Sequence, residues 1–308
     1  MKTAIKVRGL TKRFGTFTAV DRVNMTIPEK VVYGFLGPNG SGKTTAIRMM
    51  CGLLEPTAGE IEVLGMQVPA QTEAVRLQVG YMTQRFSMYG DLTVKQNLQF
   101  IGKIMGVTGR RLKQRLGELA DEYKLASIFN NMAGSLSGGQ KRRIALAAAT
   151  IHRPRLLLLD EPTSEVDPNT RREFWDQLFG MCADGTTILV TTHLMDEAER
   201  CHHLAVVDEG QKVADGTPDQ LKDALEAATV EISGPHIPAI KERIDELPPV
   251  LSATQVGLNL RVLVDKALPL PEQWLAGQLA RFADTAITPA EPSIEDVFVM
   301  ATRNKKTM

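Results

Sequence analysis

Three regimes of apolar patterning divide the chain. Val31-Val32-Tyr33-Gly34-Phe35-Leu36, Leu156-Leu157-Leu158-Leu159 and Thr187-Ile188-Leu189-Val190 are short unbroken apolar runs. They are too short for helices and suit parallel strands buried on both faces. Thr44 to Leu53 runs on without a breaker, and Arg171 to Cys182 also reads as a helix. Strand and helix in alternation predict βαβ units, hence a parallel sheet with helices packed on it.

From about residue 86 to 150 the pattern turns helical. Leu112, Leu116, Leu119 and Tyr123 fall at i, i+4, i+7 and i+11, with Arg, Lys, Gln and Glu between them. That spacing predicts an amphipathic helix whose charged face meets solvent. The last stretch changes again. Strands are expected at Thr229–Ser233, Leu251–Val256, Leu260–Val264 and Thr285–Thr288, with helices at Ile237–Leu247 and Pro271–Phe282. The order β-α-β-β-α-β is that of a ferredoxin-like split βαβ unit. Along its third strand Leu260, Val262 and Val264 alternate with Arg261 and Leu263, which gives one apolar face and one mixed face. The expected domains are therefore residues 1–225, with a helical subdomain at about 86–150, and residues 229–308.

Composition narrows the function classes. The 308 residues carry 36 basic and 36 acidic side chains, so a strongly basic nucleic-acid binder is disfavoured. No stretch of ~18 apolar residues occurs, so no membrane span is expected. The opening Met1-Lys2-Thr3-Ala4-Ile5-Lys6-Val7-Arg8 has no apolar core of the signal-peptide kind. Cys51, Cys182 and Cys201 lie too far apart for a disulfide framework, which suits a reduced, cytosolic chain. Cys201-His202-His203 puts three metal-capable residues side by side, but adjacent residues point in different directions, so no metal role is expected of them.

The first candidate site is Gly37-Pro38-Asn39-Gly40-Ser41-Gly42-Lys43-Thr44. It fits G-x-x-x-x-G-K-[ST] and lies between a predicted strand and a predicted helix, where the mechanism needs it. Glycines let successive backbone N–H groups turn inward onto phosphate oxygens, and the helix adds its positive dipole end. Lys43 is placed to reach the β- and γ-phosphates, and Thr44 to ligate Mg²⁺ through its hydroxyl. Thr45 follows at the start of the same helix. The second candidate is Asp160-Glu161, two carboxylates at the end of the four-leucine strand. One can hold a Mg²⁺ shell while the other takes a proton from an attacking water.

Leu136-Ser137-Gly138-Gly139-Gln140 opens a further helix, Gln140 to Thr150. This is a second anion-binding helix start, far from the first in sequence. Together with the phosphate loop and the Leu156–Glu161 strand it resembles the signature sequence of ABC-transporter ATPase subunits, over about residues 4–225. The resemblance implies an α/β P-loop NTPase with a mixed-sheet core and a helical subdomain. It implies that Phe14 stacks on adenine and that Gln84 touches both Mg²⁺ and the attacking water. It further places Asp167 in the loop crossing a dimer interface, and His193 against the γ-phosphate. Each ATP would sit between Lys43, Thr44, Gln84, Asp160, Glu161 and His193 of one subunit and Ser137, Gly138 and Gly139 of the other. Pro292 to Val299 and Leu194 to Cys201 also look like bacterial exporter ATPases, some of which move drugs or polysaccharide.

The resemblance thus implies an ATP- and Mg²⁺-dependent ATPase that energises an exporter. Its second subunit would be identical or paralogous, and its permease would have about six membrane-spanning helices. It would sit on the cytoplasmic face of the membrane, with no nucleic-acid partner. Residues 229–308 would serve dimerisation or regulation. The alternatives are a soluble ABC ATPase acting on ribosomes or DNA, and a regulatory cassette that binds ATP without cleaving it. One departure stands out: Glu165 occupies a place in Ser164-Glu165-Val166-Asp167 where the family commonly has a small residue.

Overall fold

The computed structural model describes residues 2–164, 166–282 and 284–303. Glu165 lies outside them. The chain divides into two compact units, residues 1–215 and 216–308.

The first unit opens with two long strands, β1 (Thr3–Phe14) and β2 (Phe17–Pro28), followed by β3 (Val32–Leu36) and α1 (Lys43–Met50). Next come β4 (Ala58–Val63), β5 (Met66–Val68), α2 (Thr72–Arg76) and β6 (Val79–Met82). Helices α3 (Val94–Ile104), α4 (Gly109–Glu122) and α5 (Gly138–Ala149) follow, with short 3-10 turns at Ala126–Ile128 and Ala133–Ser135. The unit closes with β7 (Leu156–Asp160), α6 (Pro168–Ala183), β8 (Thr187–Thr192), α7 (Met195–Ala198), β9 (His203–Asp208) and β10 (Gln211–Gly216).

These strands form two sheets. The larger has the order β10-β9-β3-β8-β7-β6, and its β9–β3, β3–β8, β8–β7 and β7–β6 pairs are parallel. The second, β2-β1-β4-β5, is antiparallel throughout. The N-terminal hairpin of that second sheet has no counterpart among the strands expected from sequence. Its twelve-residue strands break register at bulges, which blurs the two-residue alternation.

The four-leucine run does what its pattern demands. Leu157 and Leu159 pack into a core shared with α3, α4, α5 and α6, while Leu156 and Leu158 pack into a core shared with α1 and the antiparallel sheet. Each fully buried leucine contributes about 2 kcal/mol of transfer free energy. Packing on both faces leaves β7 no freedom to rotate, so the direction of its C-terminal carboxylates is fixed. In α4, Leu112, Leu116, Leu119 and Tyr123 are all buried. Arg115, three residues after Leu112 and four before Leu119, flanks that apolar stripe and is buried too. Its guanidinium bonds the carbonyl oxygens of Thr150 and Ile151 at the end of α5. That end would otherwise hold unpaired acceptors.

The second unit holds α8 (Pro218–Asp223), β11 (Ala227–Ser233), α9 (Ile237–Asp245), β12 (Val250–Val256), β13 (Asn259–Asp265), α10 (Pro271–Gln278), β14 (Ala286–Pro289) and α11 (Ile294–Arg303). Its sheet order is β12-β13-β11-β14, with every neighbouring pair antiparallel. This is the split βαβ arrangement. Val230, Ile232, Leu260, Val262 and Val264 form its apolar face, against Ile240, Ile244, Leu275 and Leu279 of the helical layer. The mixed face is partly occupied by the chain itself. From it Arg261 donates to both carboxylate oxygens of Asp296 of α11, Nε to Oδ1 at 2.9 Å and to Oδ2 at 3.2 Å, and Nη2 to Oδ2 at 2.6 Å.

Candidate active site

The loop from Gly37 to Gly42 bridges β3 and α1, as expected. Gly42 has φ +96°, and a Cβ there would lie 2.2 Å from the Ala19 carbonyl oxygen. A Cβ on Gly37 would lie 2.3 Å from the Val207 carbonyl oxygen. Neither position tolerates a side chain. Pro38 begins a tight turn in which Ser41 N–H donates to the Pro38 carbonyl at 3.2 Å, with exposed Asn39 and Gly40 between them. The Ser41 hydroxyl is buried without a hydrogen-bond partner among the described residues. Thr45, on the first turn of α1, is half-buried.

Lys43 is 4% exposed, although it carries a charge. Its Nζ donates to the carbonyl oxygens of Gly37 at 2.7 Å and Pro38 at 2.9 Å, and lies 3.5 Å from Glu161 Oε1. Burial pushes the ammonium pKa down, while Glu161 pulls it back up. One carboxylate and two carbonyls are modest compensation for a buried cation, so a phosphate brought to the loop meets a concentrated positive charge.

Asp160 and Glu161 diverge from the end of β7. Asp160 Oδ1 accepts hydroxyl hydrogen bonds from Thr44 and from Thr191 of β8, both at 2.9 Å. Burial holds its carboxyl above the usual carboxylate range, even though both hydroxyls pull it down. Glu161 adopts φ +45°, a left-handed conformation that glutamate rarely takes. Its N–H donates to Thr191 Oγ1 at 2.9 Å, so one hydroxyl ties down both acidic residues. This turn aims the Glu161 side chain away from Asp160. Gln84 Nε2 donates to Glu161 Oε2 at 3.0 Å, and His193 Nδ1 lies 3.4 Å from the same oxygen. Thus Lys43, Thr44, Gln84, Asp160, Glu161 and His193 converge from four separated stretches of sequence.

The remaining predicted residues lie elsewhere. Ser137 caps α5: its hydroxyl accepts the Gln140 N–H at 3.4 Å, while Gln140 Oε1 accepts the Ser137 N–H at 3.0 Å. Asp167 caps α6 by accepting the Thr170 N–H at 3.0 Å. A Cβ on Gly139 would lie 3.5 Å from the Thr170 methyl group, so these two helix starts are neighbours. Gly138 is exposed beside them. Among the described residues, no hydrogen bond or ion pair joins Ser137, Gly138, Gly139, Gln140 or Asp167 to the phosphate loop. Phe14 is half exposed at the end of β1, with Lys12 Nζ 5.2 Å from its ring centre.

Two further residues shape the site without belonging to any of its motifs. Thr191 is one. The other is Arg142, whose Nη1 donates to the Gln84 carbonyl at 2.7 Å and whose Nη2 donates to Ser164 Oγ at 3.1 Å. It connects α5 to the segments carrying Gln84 and following Glu161. A hydroxyl-rich strand end, Thr191-Thr192, was the only available signal for the first. Cys201, His202 and His203 point in separate directions. Cys201 Sγ donates to the Glu197 carbonyl, His202 Nδ1 accepts the Val32 N–H, and His203 stacks on Tyr33. Among the described residues there is no group of three or more His, Cys, Asp or Glu that could hold a metal.

A phosphate loop between parallel strand and helix, with two divergent carboxylates at the end of β7, one strand removed from β3 in the same sheet, defines a nucleoside-triphosphate-binding ATPase cassette. The family model described as ABC transporter matches residues 20–164. The Nod factor export ATP-binding protein I of Paraburkholderia xenovorans is 36% identical over 304 residues, 98% of this chain and 97% of that protein. The chain belongs to the ABC transporter ATP-binding family. The probable multidrug ABC transporter ATP-binding protein YbhF of Escherichia coli is 47% identical over 221 residues, 72% of this chain but only 38% of YbhF. The chain thus spans well under half of that relative. Among solved structures, an ATP-binding subunit of an ABC transporter aligns with a TM-score of 0.66 and 26% identity, covering 72% of this chain and 92% of that one. The dimeric post-hydrolysis cassette MJ0796 bound to ADP and Pi aligns with a TM-score of 0.64 and 26% identity, covering 69% and 98%.

Proposed function

We propose that this chain hydrolyses ATP with Mg²⁺ as one half of a dimer, and that hydrolysis drives export through a separate membrane-embedded partner. The observation that carries the proposal is the separation of two phosphate-grade surfaces. One is the cluster around Glu161; the other is the paired helix starts at Ser137 and Asp167. A nucleotide sandwiched between two copies would use both, and its binding would close the pair as rigid bodies. The family relatives named for multidrug and Nod factor export support the export reading over one on ribosomes or DNA.

The residues suit Mg²⁺. Thr44 and Asp160 offer a hydroxyl and a carboxylate oxygen on adjacent elements, and Gln84 an amide oxygen. So few protein ligands would leave the other positions to phosphate and water, as this ion prefers. When bound, Mg²⁺ supplies charge neutralisation at the phosphates. Lys43 and the loop N–H groups hold the phosphates, and Phe14 gives the adenine a ring to stack on. Glu161 accepts a proton from the attacking water, held for it by Gln84. His193 steadies the terminal phosphate. Among the described residues no helix is long and apolar enough to cross a membrane. The resemblance to exporter ATPases assigns the spans, about six helices, to a separate partner. The ATPase then sits peripherally on its cytoplasmic face.

Complementation tests the shared site. Lys43→Ala removes the phosphate grip but leaves Ser137; Ser137→Arg does the reverse. Each protein alone should turn over ATP at background rates. A mixture should regain activity, because a mixed dimer keeps one whole site. Mixtures as inactive as their parts, with no ATP-dependent dimer in sizing experiments, would rule out sharing.

Residues 229–308 are proposed to hold two subunits together between cycles. A chain ending at Gly216 should bind ATP with near-normal affinity, while its nucleotide-free dimer dissociates at concentrations where the full chain is dimeric. Aggregation of the shortened chain, with the isolated tail monomeric, would instead assign the unit a stabilising role.

A further inference from the structure

Glu197 lies on α7, four residues after His193, and is 1% exposed. Its carboxylate is a hub for three segments that border the active site. Oε1 accepts the hydroxyl of Thr163, two residues beyond Glu161. Oε2 accepts the hydroxyl of Thr192 at 2.6 Å. Arg171 Nε lies 3.7 Å from Oε1, and the same guanidinium reaches the Val166 carbonyl at 3.5 Å and Asp196 at 3.2 Å. The Thr192 hydroxyl also accepts the Leu194 N–H at 3.0 Å. A hydroxyl has one proton, so Thr192 must spend it on Glu197. The chain of bonds Leu194 N–H to Thr192 to Glu197 therefore spans the turn that presents His193. Its other end grips the segment that follows Glu161.

We infer that Glu197 is a positioning residue, which sets the His193 imidazole against the Glu161 carboxylate by clamping the turns that carry them. The inference rests on the reading of His193 as a contact to the terminal phosphate. Its physical basis is that both carboxylate oxygens act as acceptors, and one of them also faces a cation. Glutamine has one acceptor oxygen. Turned one way, its NH₂ group replaces the oxygen that accepts from Thr163 and faces Arg171; turned the other, it replaces the acceptor of the Thr192 proton, which must then find another partner. Either orientation breaks one of the two ties and frees that turn to shift. A displacement of about 1 Å at a reacting group can cost up to ~100-fold in rate.

Single-turnover ATP hydrolysis should be measured for the wild type, Glu197→Gln, His193→Ala and the double variant in the full-length protein, alongside ATP affinity and thermal melting. Glu197→Gln should lower the hydrolysis rate about tenfold, with ATP affinity within about twofold of wild type. In the His193→Ala background it should have no further effect, because a group that acts through His193 has nothing left to place. If Glu197→Gln is too unstable, Thr192→Val removes the hydroxyl bridge at constant shape and should show the same dependence on His193. A tenfold loss that persists in the His193→Ala background would overturn the inference and leave Glu197 a general stabiliser. A wild-type rate for Glu197→Gln would overturn it as well. If His193→Ala itself hydrolyses ATP at the wild-type rate, the phosphate-contact reading of His193 fails first, and the inference falls with it.

Discussion

Glu161→Gln protein should bind ATP and almost stop hydrolysing it. The substitution keeps the size and hydrogen-bonding reach of the side chain, and Gln84 can still donate to its oxygen. What disappears is the ability to take a proton. Loss of a general base costs ~10²-fold or more in turnover. The left-handed turn at residue 161 is fixed by backbone bonding to Thr191, which the change does not touch. The fold and the phosphate grip of Lys43 should therefore survive. Phosphate release would fall by two orders of magnitude while nucleotide affinity stays within a few-fold, and ATP-bound dimers should accumulate in sizing experiments. Turnover near the wild-type rate would remove Glu161 from the role of base.

Asp160→Asn should separate stability from activity. The carboxyl of Asp160 has a raised pKa because it is buried, and its Thr44 and Thr191 bonds offset that only in part. The folded chain therefore holds this proton more tightly than the unfolded one. Stability tied to this group is present below the unfolded value of 3.8 and declines as pH rises through the folded value. At pH 7 the ionised, buried carboxylate is a cost to the nucleotide-free fold. Asparagine keeps an oxygen at Oδ1 to accept both hydroxyls and carries no charge. The nucleotide-free variant should melt higher than wild type at pH 7, and the gap should close as pH falls below about 4. With Asp160 as the proposed Mg²⁺ ligand, turnover with Mg²⁺ should drop by two orders of magnitude or more, since loss of that charge removes ~3 kcal/mol of transition-state stabilisation. A variant that melts lower at pH 7 would show that the carboxylate already stabilises the empty site.

The sequence by itself determined the parts whose physics is local. Four consecutive leucines in a segment too short for a helix fit a strand covered on both sides, so β7 and the place of Asp160 and Glu161 at its end were legible. The glycines of the phosphate loop, set between apolar strand and helix, specify a backbone that curls around an anion. The helix-strand order of the second unit was readable because its alternations are clean, and its sheet closes in the order that the motif implies. Tertiary structure decided what depends on residues far apart in the chain. Thr191 ties Asp160 to Glu161 only because β8 lies beside β7 in register. Arg142 touches Gln84 and Ser164 only because α5 packs across the sheet edge. Glu197 becomes a hub only once α7 is folded against the segment after Glu161. The mixed face of the second unit's sheet is partly covered because Asp296 supplies a buried partner for Arg261, and nothing within either short segment announces that pairing. Local propensity and side-chain periodicity reach a few residues along the chain, whereas a buried carboxylate finds its donors across space.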